Sequence, residues 1–120
     1  MEAKIKLTKT MLNKSIIDAN KSVQQFLTEE LLCKYDELDA GDKMPVPSVY
    51  EDDTPTTVTF YKAKGRGDKR ISIKNLRKFA AEGDTVKLRT EVAMVEDCIY
   101  EVRVIVYKED DDQQGETVAA

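Results

Sequence analysis

Two runs near the carboxyl end constrain the fold more than anything else in the chain. DTVKLRTEVAMV, residues 84–95, and CIYEVRVIVYKE, residues 98–109, are both long and rich in β-branched side chains, and only the polar pair Glu96 and Asp97 separates them. β-Branched residues pack well on a pleated surface, and a short polar connection between two such runs suits a hairpin. The runs predict the longest hairpin in the protein, joining residues 85–95 with 98–107. A hairpin of that length presents a large apolar face that another layer has to cover.

The rest of the chain supplies candidates for that layer. AKIKLT, residues 3–8, alternates Ile5 and Leu7 with lysines, the period of a half-buried strand. From about Thr10 to Leu38 the spacing turns helical, with Leu12, Ile16, Ala19, Val23, Phe26, Leu27, Leu31, Tyr35 and Leu38 on one stripe. One long amphipathic helix is predicted there, capped near Thr10, Asn13 or Ser15 and ended by Gly41. GDKMPVPSVYEDDTPTT, residues 41–57, then reads as an irregular connection, because Pro45, Pro47 and Pro55 cannot donate ladder hydrogen bonds. TTVTFYKA and RISI flank GRGD and predict a hairpin whose two glycines allow a tight turn. KNLRKFAAEGD fits a helix of about two turns closed by Gly83. The fold class expected is α+β: one long amino-terminal helix packed on a mostly antiparallel, strongly bent sheet of about five strands, with a second short helix. At 120 residues the chain suits one domain, over residues 1–108, followed by an acidic, disordered tail over 109–120.

Several function classes are excluded. The chain has no histidine, so Ser-His-Asp and Cys-His catalysis and histidine-ligated zinc cannot be built. No pair among its 23 acidic residues is set apart from the solvated rest, and the chain reads as no enzyme. Cys33 and Cys98 lie too far apart in sequence for a CxxC motif and read as buried, reduced thiols. The acidic stretches YDELDAGD, with Asp36, Glu37, Asp39 and Asp42, and EDDD, Glu109 to Asp112, lack the ligand spacing of a calcium loop. No cofactor or metal is expected. No apolar run is long enough to span a membrane, and the amino terminus lacks the centre of a signal peptide, so the chain reads as soluble and cytoplasmic.

Charge is the most informative remaining pattern. The net charge is −4, yet residues 58–90 hold ten basic residues against three acidic ones. Residues 28–53 and 91–120 each hold nine acidic residues against two basic. A reader of polyanions needs Lys and Arg on one surface, beside small residues that let the backbone approach phosphate. Lys62, Lys64, Arg66, Lys69 and Arg70 bracket two glycines at the tip of the expected hairpin, and Lys74, Arg77 and Lys78 share a face of the short helix after it. These eight residues are the predicted nucleic-acid-binding site, with DNA favoured. Arg66 to Asp68 also spells an adhesion tripeptide, which reads as turn chemistry. Three other readings compete: a basic surface used for protein contact, ordinary solvated charges partly neutralised by the acidic segments, and a protein-interaction module, inhibitor or adaptor, whose acidic surfaces meet a basic partner protein.

Within the basic segment, RISIKNLRKFAAEGDTVKL, residues 70–88, resembles the strand, short helix, Gly-Asp turn and strand of the swapped-hairpin, AbrB-like transcription factors and related cradle-loop barrels. Ile71, Ile73, Leu76, Arg77, Gly83, Asp84, Val86 and Leu88 occupy matching places, and Lys74 stands where that family usually has a proline. The resemblance covers 19 of the 120 residues. It implies DNA contact by basic residues on the sheet side, and a homodimer.

Overall fold

A computed structural model of the chain describes residues 2–93 and 99–108. In chain order the elements are β1 (Ala3–Lys6), α1 (Lys9–Lys14), β2 (Ile17–Asp18), α2 (Lys21–Glu30), a 3-10 turn (Tyr35–Glu37), β3 (Lys43–Tyr50), β4 (Pro55–Lys62), β5 (Lys69–Ile73), a second 3-10 turn (Leu76–Lys78), β6 (Thr85–Ala93) and β7 (Ile99–Tyr107). The strands form one mixed sheet in the order β1-β6-β7-β3-β4-β5-β2, curled into a half-barrel. Among these pairings only β3 with β7 is parallel. The expected long helix over a sheet of about five strands is therefore wrong on both counts.

The helical stripe fails because its polar residues cut it. Thr8 caps α1 by accepting the Met11 N–H, and Ser15 ends it in the left-handed region at φ 55. Ile17 and Asp18 then extend and pair with Ile71 and Arg70 of β5. Asn20 caps α2 by accepting the Val23 N–H. Asn20 offers the backbone a side-chain bond that competes with an uninterrupted helix, and β-branched Ile16 and Ile17 favour extension. Leu32, at φ 55 and 84% exposed, closes α2. Most of the stripe is nevertheless inside: Leu12, Ala19, Val23, Phe26, Leu27 and Tyr35 are buried, whereas Ile16 is half-buried and its neighbour Ile17, off the stripe, takes the core position.

Two further expectations are corrected. Residues 43–50 are not an irregular connection but β3, paired with β4 from Lys43↔Tyr61 to Val49↔Pro55. β3 meets β7 only over Ser48↔Val102 to Tyr50↔Val104. Pro45 and Pro47 lie on the stretch with no β7 partner among the described residues, where a missing N–H costs no ladder bond, and Pro55 opens β4. The short helix after β5 is a single 3-10 turn, entered through Asn75 at φ 62. The β4–β5 and β6–β7 hairpins form as expected, the latter from Thr85↔Tyr107 to Ala93↔Ile99. The Glu96–Asp97 connection, Cys98 and the 109–120 tail lie outside the described residues.

Register places apolar rows on one face of the half-barrel. Ile5 opposes Val86, Leu88 opposes Val104, Phe60 opposes Ile71 and Val58 opposes Ile73, all of them buried. Val23, Phe26 and Leu27 of α2 belong to the same core. The first turn of α2 also seals the open edge of β1: the Asn20 Nδ2 donates to the Lys4 carbonyl at 2.9 Å, and the Lys4 N–H donates to Ser22 Oγ at 3.0 Å. A sheet edge left bare would expose unpaired donors and acceptors. Among the described residues no helix is long and apolar enough to cross a membrane. Cys33, expected to be buried, is half-buried beside the core.

Candidate nucleic-acid interface

The eight basic residues singled out in the sequence fall at the two ends of β5. At about 3.4 Å per residue, the step from Lys69 to Lys74 separates the two groups by about 17 Å.

At the hairpin end, Ala63 donates to the Asp68 carbonyl at 2.9 Å, closing a tip in which Gly65 and Gly67 both take positive φ. This tip packs against the acidic turn. Gly41 donates to the Lys62 carbonyl at 2.9 Å, and the Lys64 stem passes over Gly41. Three of its five cations are accordingly partnered within the chain. Asp68 meets Arg70 at 3.2 Å and Arg66 at 3.6 Å, Asp18 meets Arg70 at 3.7 Å, and Asp36 meets Lys69 at 3.8 Å. Of the five cations at this end, Lys62 and Lys64 have no carboxylate partner among the described residues. Tyr35 ties the acidic side to β5 by donating its hydroxyl to the Arg70 carbonyl at 2.8 Å, and burial pushes its phenol well above the ordinary range.

At the other end the backbone is clamped instead of the side chains. The Lys74 carbonyl accepts from the Tyr50 hydroxyl at 2.7 Å and from Thr56 Oγ1 at 2.8 Å, while its N–H donates to the Thr57 carbonyl at 3.0 Å. The Tyr50 ring also stacks on Phe79, with centroids 3.8 Å apart and planes 15° from parallel. One buried tyrosine thus grips both ends of the Lys74–Phe79 turn. Burial raises the Tyr50 phenol, so it stays protonated and donating at neutral pH. Lys74, Arg77 and Lys78 project from this held turn, exposed, and none has an ion-pair partner among the described residues.

α1 faces the same turn across a cleft of about 370 Å³. Leu12, Ile17, Ile73 and Leu76 form its apolar floor, and Ser15, Asn75, Arg77 and Lys78 stand at its edge. α1 brings two further exposed lysines, Lys9 and Lys14, likewise without an ion-pair partner among the described residues. No family model, curated protein or solved structure matches the chain. The site therefore has to be read from its own chemistry. That chemistry is an apolar hollow edged by Arg77 and Lys78 at one end, and a hairpin whose Arg66, Lys69 and Arg70 are ion-paired at the other.

The sequence pattern puts Lys74, Arg77 and Lys78 on one face of a short helix, whereas Lys74 precedes the left-handed Asn75 and only Arg77 and Lys78 lie in the 3-10 turn, and it misses their neighbours. Lys9 precedes the predicted long helix and Lys14 falls within it, neither with an assigned role, and Tyr50 falls in the predicted irregular connection. A signal is present in the lysines of TKTMLNKS, yet nothing local places it, because only the β2–β5 pairing carries that segment to Lys74.

Proposed function

We propose that this is a non-catalytic nucleic-acid-binding protein, with DNA the favoured ligand. The observation that carries the reading is the group of five exposed cations at the α1 end of β5: Lys9, Lys14, Lys74, Arg77 and Lys78, none ion-paired among the described residues. Cations without internal carboxylates remain available to phosphates, and release of condensed counterions makes such binding favourable. The hairpin cations contribute less, because phosphate would have to compete with Asp68, Asp18 and Asp36 for Arg66, Lys69 and Arg70. The resemblance of residues 70–88 to the swapped-hairpin transcription factors supports the same reading and adds a homodimer to it.

The test is a salt series on duplex DNA with two triple variants. Replacing Lys74, Arg77 and Lys78 by Ala should weaken binding to all sequences alike and flatten the slope of log affinity against log salt by up to about 0.9 for each phosphate no longer neutralised. Replacing Arg66, Lys69 and Arg70 by Ala should flatten it less. Stability should change by no more than about 1 kcal/mol per exposed charge. A wild-type chain with no measurable affinity for DNA or RNA at about 50 mM salt ends the reading and leaves the inhibitor or adaptor alternative in front.

A further inference from the structure

We infer that the cleft between α1 and the Leu76–Lys78 turn seats one unpaired nucleotide, its base on the apolar floor and its phosphate at Arg77 and Lys78. This rests on the nucleic-acid reading and names what the same site takes.

Gripping phosphates needs only cations projecting from a surface. This end of the protein has more than that: a hollow of about 370 Å³ lies directly beside Arg77 and Lys78, within the size range of small-ligand sites. Phosphate gains nothing from the buried Leu12 and Leu76 on its floor, whereas a base has an apolar face to lay there. Bases also carry donors and acceptors on their edges, and two polar side chains at the cleft are free to meet them. Ser15 Oγ and the Asn75 amide make no hydrogen bond among the described residues. An Asn amide offers a donor and an acceptor together. Ser15 at φ 55 and Asn75 at φ 62 are also two of the non-glycine residues held in the left-handed region, and both lie at this cleft. Backbone in that region concentrates at binding sites. A base inside a duplex stack cannot reach the floor, so the occupant is a nucleotide already unpaired or drawn out of the stack.

Fluorescence anisotropy with two labelled DNAs of the same sequence tests the inference, one a fully paired duplex and the other carrying a single-nucleotide bulge. Two variants accompany the wild type. Asn75→Gly removes the amide and suits the positive φ, and Met11→Trp fills the cleft from the α1 side. The wild type is expected to bind the bulged duplex about tenfold tighter than the paired one, the scale of burying one apolar base face. In both variants the ratio of the two affinities should fall to near one. Equal wild-type affinity for paired and bulged DNA overturns the inference while leaving the nucleic-acid reading standing. A bulge preference that survives in both variants also overturns it, because the nucleotide then sits elsewhere. Failure to bind either DNA overturns the inference and the reading together.

Discussion

Tyr50 shows how much of the exposed turn after β5 hangs on one interior residue. It is 2% exposed, its hydroxyl shares the Lys74 carbonyl with Thr56, and its ring stacks on Phe79. Deleting one of two donors to a carbonyl leaves the acceptor satisfied, whereas deleting both strands it in the interior. Tyr50→Phe alone should therefore lower stability by about 1 kcal/mol, and Thr56→Val by a similar amount. The double variant should lose more than the two single losses together, because only then is the Lys74 carbonyl left bare. Urea denaturation of the four proteins checks this, and strictly additive losses would show that the two donors do not act on one acceptor. Nothing local in PVPSVYED marks the tyrosine for this role. Its partners are Lys74, Thr56 and Phe79, the first and last of them more than twenty positions away in the chain.

Among the elements, the segment from α1 to α2 carries the clearest conflict between local pattern and final structure. Apolar residues three and four apart fit one helix, yet a helix broken at Ser15 and restarted at Asn20 buries nearly the same set. The two arrangements make opposite claims about Ser15. In a continuous helix, Ser15→Gly would cost about 0.5–1 kcal/mol through lost backbone entropy. In a left-handed cap, glycine removes a steric penalty of about 1–2 kcal/mol, which outweighs its added freedom in the unfolded chain. Ser15→Gly should leave the thermal midpoint unchanged or raise it. A drop would restore the single-helix account. By contrast, β1, β4, β5, β6 and β7 were legible because alternation along a strand is a local signal. β3 was not, because tolerance of Pro45 and Pro47 depends on which edge β7 leaves unpaired.

At the scale of the whole molecule the net charge is −4, and electrostatics has to be considered by region instead of in sum. Residues 109–120 hold five of the 23 acidic residues and no basic one. Deleting them should tighten binding to duplex DNA and raise the association rate at low salt, since fewer fixed anions then compete for the exposed cations. If the chain instead uses its acidic segments to hold a basic partner protein, the same deletion should weaken that complex, and the DNA measurement would show no gain. What the sequence by itself determined was the set of alternating strands, the β4–β5 and β6–β7 hairpins, the apolar residues that go inside, and the concentration of Lys and Arg between 62 and 78. Each depends on residue type and on neighbours within a few positions. Local caps allow the helix to break, but only the tertiary structure selects the break, by pairing Ile17 and Asp18 with β5 and bonding Asn20 and Ser22 to Lys4 of β1. It alone divided the basic run into a hairpin compensated by Asp18, Asp36 and Asp68 and a turn left free beside α1, since β5 separates residues adjacent in sequence and β2 pairing joins residues more than fifty positions apart.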